Sequence, residues 1–219
     1  MAEKIYPDSG VELTTTLAKH YDRVLNIGSL GLYAGFIRKA IREMRINPED
    51  HILDLGCGTG RNARLMTRFL NERGKVTGLD ISDHMGKHFL RTFQNDRRAE
   101  FIRTRIDQRF DLGISVDKVF ISFVIHGFPH DVRDIIIQNA YRHLKPGGTF
   151  HILDYAEFNL DTIPVHHRLI FKTFECKYAF DFVSRDWKKI LRGHGFEEFT
   201  EWFHFRGYVR LLSARKSRE

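Results

Sequence analysis

Apolar residues early in the chain recur at helical spacing: Leu32, Phe36, Ile37, Ala40, Ile41 and Met44 form one stripe. Asn47-Pro48 ends that helix, because the residue before a proline is pushed out of the helical region. The pattern then changes to a short apolar run, Ile52, Leu53 and Leu55, interrupted by Asp54 and read as a buried strand. Helical spacing returns from Arg61 to Leu70, with Ala63, Leu65, Met66, Phe69 and Leu70 available for packing. Val76 to Leu79 predicts a second strand. Ser82 is placed to cap the next helix, with Asp83 at its positive end and Met85, Phe89 and Phe93 on its apolar side.

Phe101-Ile102 begins a short third strand, and Lys118 to Val124 predicts a continuous apolar fourth. Pro129 and Asp131 open a helix carrying Val132, Ile135, Ile136, Ala140 and Leu144. Pro146-Gly147-Gly148 then turns the chain into a fifth strand, Thr149 to Leu153. A helical insert is expected around His166 to Tyr178, and a helix capped by Ser184 runs through Leu191. Two strands, near Phe199 to Phe205 and from Tyr208 to Ala214, flank a turn at Gly207. Strands alternating with helices predict an α/β fold: a mostly parallel sheet with helices on both faces. The 219 residues are read as one domain, 1–219, with an N-terminal helical cap over about 1–46 and a helical insert over about 163–180.

The candidate chemistry gathers where the first strand runs into glycine. Gly56-Cys57-Gly58-Thr59-Gly60 is a G-x-G-x-G turn preceded by Asp54, and the second strand ends twenty residues later in Asp80. Glycine is needed where backbone turns with positive φ or approaches a ligand too closely for a Cβ. A strand, a glycine turn, a helix and a strand ending in an acid describe a ribose site, because a carboxylate accepts hydrogen bonds from both ribose hydroxyls. A pyrophosphate site favours G-x-G-x-x-G. Here the third glycine comes one residue early, and Asp54 beside the turn repels phosphate but suits a ligand with an ammonium group. S-adenosylmethionine (SAM) is such a ligand.

Those residues identify the resemblance. Leu53 to Gly60, Gly78 to Ser82, Asp117 to His126 and Leu144 to Thr149 resemble the successive motifs of class I SAM-dependent methyltransferases. Tyr21 to Asn26 with Ser29-Leu30-Gly31 is similar, over a shorter stretch, to the N-terminal segment of menaquinone and ubiquinone biosynthesis C-methyltransferases. The resemblance implies a Rossmann-like, seven-stranded sheet closed by an antiparallel hairpin. It implies SAM as cofactor, held by Asp54, Gly56, Cys57, Gly58, Thr59, Gly60, Asp80 and Ile81, with Ser122 and Phe123 after the fourth strand. After the third strand the family has an acid for the adenine amine; ungapped alignment puts Arg105 there, beside Ile106, and Asp107 takes the position only after a two-residue shift.

Methyl transfer from an activated sulfonium needs chiefly an acceptor held in line. A carbon or phenol acceptor must also lose a proton, and a histidine near neutral pH suits that task. His126, at the end of the fourth strand, is the candidate base, and Tyr155 the second catalytic candidate. Tyr21 and Tyr33, in the segment that the family folds over the donor, with His130, His167 and Phe171, are candidates for contact with the acceptor. The reading is a SAM-dependent methyltransferase acting on a small, apolar aromatic acceptor of quinone-precursor type. Its alternatives are an RNA or protein methyltransferase and a SAM-binding regulatory protein without turnover.

Composition narrows the partners. Net charge is +7, which leaves room for nucleic acid or a membrane surface, yet the basic residues are dispersed. Nucleic acid is not favoured, and peripheral membrane contact stays open. Two cysteines, Cys57 and Cys176, give neither a disulfide framework nor a metal cluster. A mixed, polar N-terminus and no apolar run near the ~18 residues of a membrane span predict a soluble, cytoplasmic protein. No metal is expected, and the pattern defines no oligomeric state.

Overall fold

The computed structural model describes Ser9 and residues 32–218. Seven strands form one sheet: β1 (His51–Leu55), β2 (Lys75–Asp80), β3 (Ala99–Arg103), β4 (Val116–Ser122), β5 (Leu144–Tyr155), β6 (Phe196–His204) and β7 (Val209–Lys216). Their spatial order is β3-β2-β1-β4-β5-β7-β6. The first five are mutually parallel, while β7 runs antiparallel between β5 and β6. The order reverses between β1 and β4, and ligands of open parallel sheets bind beyond the carboxyl ends at such a reversal.

Side-chain alternation divides the core between the two faces. Val119 and Ile121 of β4 join Phe150 and Ile152 of β5 against Ile136 and Ile137 of α4 (His130–His143) and Trp187 of α7 (Trp187–Gly193). Phe120 and Leu153 face the other way, onto Phe36, Ile37, Ala40 and Ile41 of α1 (Leu32–Glu43). The same face carries α2 (Arg61–Met66) and α3 (Asp83–Thr92) through Ala63, Met66 and Phe89. Ser82 caps α3 by accepting from the Met85 amide at 3.3 Å. Between β5 and α7 the chain forms two short helices, α5 (Val165–Phe174) and α6 (Lys177–Val183).

Several boundaries differ from expectation: the insert expected around His166 to Tyr178 breaks into two helices at Glu175-Cys176, and β6 begins at Phe196. The helix leaving the glycine turn ends at Met66 and tightens into a 3-10 turn over Thr67–Phe69. β4 stops at Ser122, because Phe123 takes φ 53° and a 3-10 turn, Ile125–Gly127, follows. β5 begins at Leu144, pairing with Val116 before its register shifts around Pro146-Gly147-Gly148. Asp186, not Ser184, caps α7, accepting from the Lys189 amide at 2.9 Å; Ser184 instead closes α6, its hydroxyl donating to the Asp181 carbonyl at 2.8 Å. No helix among the described residues is long and apolar enough to cross a membrane.

Candidate active site at the carboxyl edge of the sheet

β1 delivers Asp54 and Leu55 directly into the glycine turn. Gly56, Gly58 and Gly60 have φ of 73°, 54° and 81°, values that favour residues without a Cβ. The amides of Gly56 and Cys57 both donate to the Leu79 carbonyl, at 2.8 and 2.9 Å, which binds the turn to β2. Asp80, at the end of β2, accepts from the Gly58 amide at 3.0 Å and from the Ser82 amide at 2.8 Å, one to each oxygen. A carboxylate has about four acceptor directions, so capacity remains for a further donor. Nothing lies within 4 Å of where a Cβ at Gly58 would stand, so the turn borders open space. At Gly78 the reverse holds: a Cβ would come within 2.6 Å of the Phe89 ring and 2.8 Å of the Cys57 sulfur.

Asp54 is 1 % exposed, and its Oδ2 has no hydrogen-bond partner among the described residues. Burial, with Asp80 adding like-charge repulsion, pushes its pKa up to about 8. Asp80 is also raised by burial, which outweighs the amides of Ser82, Gly58 and Ile81. Two carboxyl groups are thus held close together and largely away from water. The Cys57 thiol, driven up by burial and then by Asp54, is a packing residue and not a nucleophile. Thr59 continues the turn, and Ile81, exposed, follows Asp80. Beyond β3, Arg105 grips Asp107 side-on through one guanidinium edge, Nε to Oδ1 at 3.0 Å and Nη2 in a closer contact to Oδ2. Ile106 between them is buried, and its carbonyl accepts from the Asn139 amide group at 3.1 Å.

The second half of the site forms where β4 and β5 end. The left-handed turn at Phe123, whose amide donates to the Leu153 carbonyl at 2.9 Å, bends the chain so that His126 meets β5. His126 Nδ1 lies 2.8 Å from Oδ1 of Asp154, and Nε2 lies 3.6 Å from Oε2 of Glu175. Tyr155 donates its hydroxyl to Oε1 of Glu175 at 2.5 Å, and its ring centroid is 5.2 Å from that of His126. Burial works against a charged His126, but Asp154, and then Glu175, outweigh it, so its pKa rises above 6.5. The ordinary value that an isolated histidine would suggest is therefore corrected upward.

The structure places the remaining candidates separately. Phe171 of α5 is buried, edge-on to Tyr155 with centroids 5.2 Å apart. His167 Nδ1 lies 2.9 Å from the Tyr208 hydroxyl. His130 opens α4, its ring centroid 6.5 Å from that of Trp187 and its Nδ1 without a hydrogen-bond partner among the described residues. Tyr21 lies outside the described residues, as does the side chain of Tyr33. Two residues that the sequence did not single out belong to the cluster. Glu175 arrives from the end of α5. Arg133, fully buried in α4, donates to the carbonyls of Ile125, His126 and Tyr178 at 3.3, 3.0 and 2.6 Å and to Asp181 at 2.7 Å.

Known proteins resemble this chain in sequence and in fold. Residues 52–148 match the family described as a methyltransferase domain. The chain is 28% identical over 172 residues to a demethylmenaquinone methyltransferase of Lactobacillus johnsonii, covering 74% of this chain and 67% of that protein. It is 25% identical over 207 residues to the demethylmenaquinone methyltransferase of Listeria welshimeri, covering 90% and 87%. A SAM-dependent methyltransferase from Aquifex aeolicus superposes with a TM-score of 0.60 at 18% identity, over 82% of this chain and 88% of that one. The [4+2]-cyclase SpnF superposes equally well, TM-score 0.63 at 15% identity over 84% and 81%. At such identities the likeness carries the fold, and chemistry has to be argued from the site.

Proposed function

We propose that this chain, a methyltransferase of the class I fold, transfers the methyl group of SAM to a ring carbon of a small hydroxylated aromatic acceptor of quinone-precursor type. The likeness to demethylmenaquinone methyltransferases supports the acceptor class. The unpartnered Asp54 oxygen beside a glycine turn supports the donor. An acid raised to about 8 and short of a hydrogen bond is relieved by an ammonium group, and the remaining acceptor capacity of Asp80 suits a ribose hydroxyl donor. Bound SAM supplies an electrophilic methyl group.

The chain's own residues have to hold the acceptor and take its proton. His126 carries the reading: with Nδ1–H donating to Asp154, its Nε2 keeps a lone pair at the carboxyl edge of the sheet. That nitrogen accepts the hydroxyl proton of the acceptor, leaving a phenolate whose ring carbon is the nucleophile. Glu175 and Asp154 stabilise the imidazolium so formed. Tyr155 and Phe171 offer aromatic edges beside it.

A SAM-consumption assay against quinol, phenol, amine and tRNA pools tests the reading. Methylated quinol or phenol is the expected product. Methylation confined to tRNA or amines would overturn the acceptor assignment, and SAM binding without any product would leave a regulatory protein.

A further inference from the structure

Methylation of a phenolic ring carbon requires two proton removals, and His126 accounts for the first alone. With the hydroxyl proton on Nε2, the ring carbon takes the methyl group as the donor's carbon–sulfur bond breaks, its electron pair staying on sulfur. That carbon then carries both the methyl group and its original hydrogen, and the ring has become a dienone. Aromaticity returns only when this hydrogen leaves as a proton and its bonding pair re-enters the ring. A second basic atom is needed beside the first.

The His126 cluster contains one. Oε2 of Glu175 lies 3.6 Å from Nε2 of His126, too far for a hydrogen bond between them. The Tyr155 hydroxyl donates to Oε1 at 2.5 Å, which fixes the carboxylate and leaves Oε2 toward the imidazole. A phenol's hydroxyl and its ortho hydrogen are neighbours on one ring, so two acceptor atoms this close can serve both. Asp154 cannot take this part, because it sits behind the imidazole. Its Oδ1 lies 2.8 Å from Nδ1 and accepts from the Tyr155 amide at 2.8 Å, while Oδ2 accepts from the His126 amide at 3.4 Å. The Glu175 side chain is 19 % exposed, so a proton taken there has a route to water. The donor cradle belongs to β1 and β2, whereas Glu175 meets the end of β5, so the two flank the turn that follows β4. The methyl group and the departing proton lie on opposite sides of the ring plane, which suits an acceptor held between them.

We propose that Glu175 is a second catalytic base, which removes the ring proton after methyl transfer while the His126 imidazolium returns its proton to the acceptor oxygen. The products are a methylated phenol, neutral His126 and one proton on Glu175, which passes to solvent. Tyr155 is a positioning residue that aims the carboxylate. The assignment rests on the transfer to a ring carbon proposed above.

Turnover of naphthohydroquinone, unlabelled and deuterated on its quinol ring, by the full chain with SAM tests this. Glu175→Gln should bind SAM as the wild type does and lose roughly 10²–10⁴-fold in product formation. Ring deuteration should slow this variant distinctly more than the wild type, because removal of the ring proton has become limiting. An altered charge on His126 alone leaves that difference at zero, since the label is on carbon and not on oxygen. In Glu175→Ala, added formate, a small carboxylate, should restore turnover and remove the extra isotope effect. Equal isotope effects in Glu175→Gln and wild type, or an alanine variant indifferent to formate, would overturn the assignment and leave the acceptor reading standing. A wild type that does not methylate the quinol ring would overturn both.

Discussion

Nε2 of His126 and Tyr155's hydroxyl converge on the two oxygens of one carboxylate, Glu175, at 3.6 and 2.5 Å. Glu175 thereby helps to set the charge of the candidate base. A base works in its neutral form, so on the proposed mechanism the rate should rise with pH through a pKa above 6.5. Glu175→Gln removes one of the charges that favour imidazolium, so the rising limb should move to lower pH. His126→Ala should keep SAM binding and lose roughly 10²–10⁴-fold in turnover. The stability term has the opposite sense: a raised histidine pKa stabilises the fold fully below about 6.5 and loses that contribution as pH climbs through the folded value. A lower melting temperature with turnover per folded molecule unchanged would mark His126 as structural only.

For the donor, Asp80→Ala should weaken SAM binding by about 1.5–3 kcal/mol, the range for hydrogen bonds involving a charged group. Gly58→Val should be worse, because its side chain fills the open space beside the turn and is strained at φ 54°. Calorimetry giving unchanged affinity in folded Asp80→Ala would exclude the ribose assignment.

Asp54 adds a pH signature. Its pKa of about 8 leaves it protonated in the free protein near neutrality, and a cationic ligand favours the ionised form. SAM affinity should therefore increase from about pH 6 to 7.5, by at most about tenfold per unit, with release of up to one proton. Titrations in buffers of different ionisation enthalpy read that proton directly; an affinity flat with pH and no release would count against the ammonium contact.

Arg105 and Asp107 form a close pair at a position where the family resemblance implies an acid. Removing the guanidinium in Arg105→Ala should lower stability by about 1–3 kcal/mol, read from denaturant melts. SAM affinity should change little. A large affinity loss confined to Asp107→Ala would move the adenine contact to residue 107.

Two glycines with opposite surroundings give a packing test. Gly78→Ala puts a methyl 2.6 Å from Phe89 and should destabilise by about 1–3 kcal/mol. Gly35, in α1, has nothing within 4 Å, and Gly35→Ala should stabilise by about 0.5–1 kcal/mol through helix propensity. Equal effects at both positions would contradict the packing.

The donor half of the site was legible because its signals are local. Asp54 and the three glycines are contiguous, and Asp80 follows one helix later, so spacing along the chain stands in for distance in space. In the candidate acceptor half the sequence marked His126 and Tyr155, just past or at strand ends, and Phe171 on the insert helix. Glu175 and Arg133 carry no local mark. Glu175 gains its place only when α5 folds back over β5, and Arg133 occupies a position on α4 where periodicity predicts nothing but a core contact. Boundaries failed where two signals competed: Ser184 and Asp186 are both cap residues, and the chain uses one to end a helix and the other to start the next.

Arg133 ties the turn that carries His126 to the helix that carries Tyr178 and Asp181, through one buried guanidinium. The helix α6 therefore cannot lift away from the sheet independently of the histidine turn. Opening that flap would strand a cation in the interior and free the Ile125 and His126 carbonyls together. Local opening of this corner is thus an all-or-none event, so solvent exchange at the His126 turn and at α6 should share a single opening free energy. A large acceptor that needs the flap raised would meet His126 only after that latch has been released, and would find it set in place again on closure.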